Sequence, residues 1–306
     1  MMSYSPEGFL INTKENRQYI ANAEGLQRAC NEGIALEQRV TYCDCKHNLH
    51  VELGEFHGII PREECAVGIT DGTVKDIAII ARVNKPVRFV VERLTTCDGK
   101  KTAILSRRRV QQDFIDDCLP CIAPGDVIDA SITHLESFGA FCDIGCGVNA
   151  LLPIDNISVS RIPHPNVRFS VGDNIKAVVK SLDEAGRITL SHKELLGTWS
   201  ENAQLFSPGE TVSGVIRSIE NYGIFVELTP NLSGLAEYTS DVYEGQQASV
   251  FIKSIIPDKM KFKLIIVDAF DADYPKSKPF YFINDGHLDE FCYSPPNCAK
   301  VIKTEF

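Results

Sequence analysis

From Pro124 and again from Pro208, apolar and polar positions alternate along the chain, through Val127 and Ile132 in the first stretch and Val212, Val215 and Ile219 in the second. A period of two is the pattern of a strand with one buried face. Each stretch then meets a glycine, Gly139 or Gly223, inside a strand-like run, which predicts a bulge or a sharp bend. Short apolar runs follow at Ala150-Leu151-Leu152 and Gly234-Leu235-Ala236, then turns at Gly172 and Gly245. A fourth strand (IKAVVKSL or ASVFIKSI) and a last one (RITLS or KFKLII) end each stretch.

The two stretches are copies of one another. Without a gap, Gly125 aligns with Gly209, Phe138 with Tyr222, Gly139 with Gly223 and Phe141 with Phe225. Five strands in roughly 70 residues is the size of a small closed barrel of the OB type. A weaker copy starts at Gly33 with GIALEQRVTYCDCKHNLHVELGEFHGIIP and continues through KPVRFVVERL and KTAILSRRR. Repetition at this period predicts a mainly β protein of three tandem five-stranded barrels.

Helical spacing appears between the copies. NRQYIANAEGLQRAC predicts an N-terminal helix with Ile20 and Leu26 inward. SRRRVQQDFIDDCL predicts a linker helix before Pro120, and SHKELLGTWSENAQLF another that ends at Pro208-Gly209. The expected division is an N-terminal segment and helix (1–32), a degenerate first barrel with linker helix (33–118), a second with linker helix (119–206), a third (207–270) and a C-terminal tail (271–306). The tail, YPKSKPFYFINDGHLDEFCYSPP, has no assignable fold, but its aromatic content predicts that it packs on something.

Composition narrows the function classes. With 44% apolar and 24% charged residues among 306, this is an ordinary globular chain. No apolar run reaches the roughly 18 residues of a membrane span. The start has no basic flank followed by an apolar core, so a cytoplasmic protein is expected. The net charge of −10 argues against a long basic stripe that grips duplex DNA. Residues 1–118 carry 16 basic and 17 acidic side chains, 119–200 carry 6 and 9, and 201–306 carry 9 and 15. Nucleic-acid affinity must therefore come from stacking and local cations. The triple Arg107-Arg108-Arg109 reads as a solvated helix face, or as a phosphate contact beside a barrel. Of eleven cysteines, several stand where a small buried apolar residue would serve, as Cys142 does in GAFCDI. Cys118-x2-Cys121 and Cys142-x3-Cys146 have spacing found in zinc sites, and Cys43-x-Cys45 is a weaker pair. Cys142 reads as part of a core strand and Cys146 as part of a turn, and nothing in the spacing brings the linker pair to them, so no metal or cofactor is expected.

The motifs SFGAF at 137–141, VGD at 171–173 and DEAGRITLSHK at 183–193, with NYGIF at 221–225 and GLAEY at 234–238, are those of a known family. In them the chain resembles the S1 RNA-binding domain family, named for ribosomal protein S1, over about residues 33 to 267. FGAF alone is a weak signal. FGAF with D-x-x-G-R-I-x-L-S about forty residues downstream is a specific one. The resemblance implies an aromatic pair that stacks on bases, with a His, an Asp and an Arg on neighbouring strands in the same groove. It places Phe138, Phe141, Asp183 and Arg187 in the second repeat, with Pro153 where the His is expected. In the third it places Tyr222, Phe225 and, for the Arg, Lys261. There Glu237 takes the His position and Ile256 the Asp position, with Asp258 two residues on. The first copy has His47 and His50 near the aromatic positions and Pro61 for the His.

Physics supports these roles apart from the family. An exposed ring on a barrel strand captures any unpaired base, and duplex RNA hides its base faces. Phe141 and Phe225 have an alternative reading as barrel core, and Asp183–Arg187 one as a turn-closing ion pair. The expected function is non-catalytic binding of single-stranded RNA such as mRNA, in translation or RNA turnover, without a small-molecule substrate or a membrane. The alternative is a module that docks onto a ribosome, polymerase or nuclease. No P-loop, G-x-S-x-G, H-E-x-x-H or metal-spaced carboxylate cluster points to an enzyme.

Overall fold

The alternating stretches close into barrels. The computed structural model describes residues 5–97, 99–183 and 186–306; Glu184 and Ala185, inside the D-x-x-G-R motif, lie outside them. Three closed five-stranded barrels follow one another. The first is β1 (Leu36–Cys43), β2 (Leu49–Leu53), β3 (Phe56–Ile60), β4 (Pro86–Cys97) and β5 (Lys100–Ser106). The second is β6 (Val127–Glu136), β7 (Gly139–Gly145), β8 (Val148–Pro153), β9 (Asn174–Leu182) and β10 (Ile188–Ser191). The third is β11 (Thr211–Glu220), β12 (Gly223–Thr229), β13 (Leu232–Ala236), β14 (Gln247–Ile256) and β15 (Lys261–Phe270). All share one order, in which the fifth strand lies between the third and the fourth. The third and fifth strands run parallel in each.

The chain forms two compact units. One comprises Met1–Ile122 with the hairpin tip Asp143–Asn149. Ile20 and Leu26 are buried here as expected, but the N-terminal helical stretch is two helices, α1 (Lys14–Ile20) and α2 (Ala23–Glu32). Asn22 separates them: its backbone is extended and its side chain accepts from the Gly25 N–H, the geometry of a helix N-cap. Arg107 departs from the expected solvated face. It is buried, and its Nε and Nη2 donate to Glu7 at 2.6 and 2.9 Å. Only its neighbours reach the surface, where Arg108 pairs with Glu64 and Arg109 with Glu92. A second buried pair joins Arg88 to Glu37 at 2.7 Å. The helix α4 that carries the triple (Arg107–Asp113) follows α3 (Ile77–Ile80) and ends in a π-turn over Phe114–Cys118.

The other unit comprises Ala123–Cys142 and Ala150–Phe306. Its expected linker helix is also broken. Gly197 takes a positive φ of 84°, leaving a 3-10 turn at Lys193–Leu196 and a short α5 at Trp199–Ala203. A Cβ at Gly197 would meet the Phe282 ring at 2.5 Å, so the tail itself requires glycine there. Thr198 and Glu201 start α5 with a reciprocal capping box. Trp199 then packs edge-on against Phe262 in the core of the third barrel, ring centres 5.7 Å apart. The tail docks along this unit, with Tyr281 on His192, Leu288 on Gly125 and Tyr293 on Asn231. It ends in a two-stranded sheet of β16 (Glu290–Cys292) and β17 (Lys303–Glu305). Among the described residues, no helix is long and apolar enough to cross a membrane.

Gly139 and Gly223 are not mid-strand bends. Each is the first residue of its barrel's second strand, just past the hairpin turn. A Cβ at Gly139 would lie 2.5 Å from the Leu152 carbonyl oxygen, and one at Gly223 would lie 2.6 Å from that of Ala236. The third strand therefore passes too close for any side chain. The third barrel bulges instead within its strands, on β11 between Ile216 and Ser218, on β12 between Glu227 and Thr229, and at two places where β14 pairs with β15.

Candidate nucleic-acid interface

The glycine sets the aromatic pair. It lets the chain leave the hairpin turn with the preceding ring outside the barrel and brings the ring two residues later to the strand's outer face. Phe138 is 54% exposed, Phe141 is half-buried, and their rings meet edge to face at 6.1 Å and 89°. Tyr222 is 70% exposed, Phe225 half-buried, and that pair meets at 6.2 Å and 88°. Both inner rings pack on their outer partners and leave the sealed core to the residues on either side, Ala140 and Cys142 or Ile224 and Val226.

Strand register fixes the charged positions. Leu151 on β8 pairs with Thr189, and Leu235 on β13 pairs with Lys263. Two residues earlier on the fifth-strand side stand Arg187 and Lys261, so Lys261 occupies the place of Arg187. In the first barrel Ile59 pairs with Ile104, which puts Thr102 there. Arg187 closes its turn: its Nε donates to Asp183 Oδ2 at 2.7 Å and its backbone N–H to Oδ1 at 2.8 Å. Its side chain is still 83% exposed. Asp183–Arg187 is thus a turn-closing pair that keeps its guanidinium in solvent. Lys261 is exposed, as are Glu237 and Asp258, and Lys253 stands 3.8 Å from Glu237.

Three rings, each on the corresponding face of its own barrel, escaped the motif reading. His134 stacks against Phe141 at 6.5 Å and 28°, and its Nε2 lies 2.7 Å from Glu136. In the first barrel Tyr42 pairs with His50 across β1 and β2, as Ser218 pairs with Phe225 in the third. His50 therefore holds the inner aromatic position, and Tyr42 covers it at 4.2 Å and 7°. His57 continues the stack, 5.0 Å from His50. His47 has a positive φ of 62° and points its Nδ1 at Asp76, 3.5 Å away. The signal for Tyr42 and His134 was present in the alternation of the first strand, whose outward residues border the aromatic pair.

A model of the S1 RNA binding domain matches residues 122–193, the second barrel. Small ribosomal subunit protein bS1 of Staphylococcus aureus (strain COL) is 30% identical over 283 residues, covering 85% of this chain and 69% of that protein. The bS1 protein of Staphylococcus epidermidis is 31% identical over 276 residues, covering 85% and 68%. Among solved structures, a multidomain protein with nucleic acid binding domains from Streptococcus pneumoniae aligns with 76% of this chain and 73% of its own at 13% identity, with a TM-score of 0.27. Three barrels of one strand order, two with an aromatic pair flanking an equivalent glycine, and 30% identity over 85% of the chain place it in the family of small ribosomal subunit protein bS1.

Proposed function

We propose that the chain is a non-catalytic single-stranded RNA-binding protein of translation, acting in the cytoplasm and holding mRNA on the ribosome. The observation that carries this reading is the near-identical geometry of Phe138/Phe141 and Tyr222/Phe225 at equivalent positions of two barrels within one compact unit. Each exposed ring contributes about 1–3 kcal/mol per stacked base and discriminates little between bases. Arg187 and Lys261 supply one cation at the equivalent register position of each barrel. Two modest sites on one strand reinforce one another through effective concentration. The domains 119–206 and 207–270 hold RNA in this reading.

The domain 33–118 has a second reading as a docking module. Its barrel carries Thr102 where the others carry a cation, and three carboxylates, Asp44, Glu52 and Asp76, stand beside its histidines. The test is binding of labelled oligo-U and of a matched duplex by wild type and by the Phe138→Ala/Tyr222→Ala variant. Wild type should prefer the single strand, and the variant should lose most of that affinity. Equal binding by the two proteins refutes the stacking reading.

A further inference from the structure

His50 and His57 lie diagonally across the β2–β3 hairpin, His50 opposite Ile59 and His57 opposite Glu52. His50 Nδ1 is 2.8 Å from His57 Nε2. The outer nitrogen of each ring faces a carboxylate: His50 Nε2 is 3.2 Å from Asp44 Oδ2, and His57 Nδ1 is 3.2 Å from Glu52 Oε1. An ionised carboxylate only accepts, so each outer nitrogen must bring the hydrogen. Asp44 is fixed in place as an acceptor, with the Asn48 backbone N–H donating to its Oδ1 at 2.9 Å. The Lys46 N–H donates to the same oxygen at 2.8 Å and the Asn48 side chain to Oδ2 at 2.9 Å. With both outer nitrogens protonated, two neutral rings have used their only N–H groups. Their inner nitrogens then turn lone pairs on each other at 2.8 Å, and that contact calls for a cation.

We propose that His50 Nδ1 and His57 Nε2 form a site for a borderline divalent transition-metal ion of the zinc and nickel class. Imidazole nitrogen suits that class. A ligating histidine commonly donates its other N–H to a carboxylate, which fixes the tautomer and raises the basicity of the ligating nitrogen. Asp44 and Glu52 stand in those places. Tetrahedral binding at about 2.0–2.1 Å asks the two nitrogens to stand about 3.3 Å apart, so the rings must part by about half an ångström. His50 is buried under Tyr42 and stays fixed, whereas the His57 side chain is 34% exposed and has room to move. Among the described residues, no group of three or more His, Cys, Asp or Glu side chains is arranged around one ion. The site therefore offers two protein ligands and leaves the remaining positions to water or a phosphate oxygen. A bound dication also offsets the negative charge of Asp44 and Glu52 on this face.

This inference does not rest on the RNA-binding reading, and its test uses no RNA. The chelator-treated full chain is titrated with nickel chloride while the ring carbon–proton NMR signals of its seven histidines are followed. The expected result is selective broadening of His50 and His57 within the first equivalent, reversed by competing zinc. The Glu52→Gln variant, altered at an exposed side chain, should bind about 10–100-fold more weakly. His57→Asn should abolish the response at His50. Broadening spread evenly over all histidines, or an unchanged response at His50 in His57→Asn, overturns the proposal and assigns the contact to a proton shared between the rings.

Discussion

Arg168 grips Glu227 with both terminal nitrogens, Nη1 2.7 Å from Oε1 and Nη2 2.5 Å from Oε2. Arg217 adds a second fork to the same carboxylate at 2.8 and 3.0 Å. Arg168 lies in the long loop between β8 and β9, and Glu227 on β12, so the contact joins the second barrel to the third inside one compact unit.

Glu227→Ala leaves two mostly buried guanidiniums without their partner and should cost about 3–5 kcal/mol in urea unfolding of the full chain. Burial pulls the Glu227 carboxyl upward, but Arg168 and Arg217 outweigh it and hold the group below its ordinary 4.5. Its stabilisation is therefore complete above about pH 4.5 and is lost as pH falls through the lower folded value. Glu227→Gln should flatten that acid limb. If the limb persists unchanged, other carboxylates govern it.

His192 is buried, its Nδ1–H donating to the Ile157 carbonyl at 2.9 Å and its Nε2 accepting from the Tyr281 hydroxyl at 3.1 Å. Burial, with the Arg168 charge adding to it, pushes the imidazole down to about 4 from 6.5. Between those values the unfolded chain takes up a proton that the folded chain refuses. Stability should be full above pH 6.5 and fall by about 3 kcal/mol as pH drops to 4. His192→Gln, whatever its absolute stability, should show a shallower slope across that window in denaturant titrations at stepped pH.

Arg187→Ala and Lys261→Ala should each reduce the slope of log affinity against log salt by about 0.7 for oligo-U, because each takes one cation away from one phosphate. Phe138→Ala should weaken binding and leave the slope alone, because stacking releases no counterions. A slope unaffected by either cation would remove both from the RNA path.

The Tyr293 hydroxyl donates to the Asn231 carbonyl at 2.5 Å, and the Tyr293 carbonyl accepts from the Trp199 N–H at 3.0 Å. Tyr293→Phe should cost about 1–3 kcal/mol by leaving a buried acceptor unpaired. Deleting residues 271–306 should cost more and lower the unfolding temperature. An unchanged melting curve after that deletion would mean that the tail does not dock in solution.

Much of the candidate site was legible because its signal is local. The spacing from Phe138 to Phe141 and from Tyr222 to Phe225 is set within one hairpin, and a glycine marks each copy. The place of Lys261 followed from aligning the repeats, and strand register arrives at the same position. The first barrel was harder to read because its site crosses three strands: Tyr42, His50 and His57 become neighbours only when β1, β2 and β3 pair.

The sequence by itself determined the barrels, their number and the aromatic pairs, because alternation and turn residues act over a few positions at a time. Tertiary structure alone decided the rest. Arg107 looks like a surface cation in its triple and is buried because Glu7, a hundred residues away, supplies its countercharge. Gly139 looks like a bend and is instead the clearance that the Leu152 carbonyl needs. The helix expected across Gly197 is broken where Phe282 packs. In each case the deciding group lies outside the local pattern, on another strand or far along the chain, and neither pattern nor propensity registers a partner that only folding brings near.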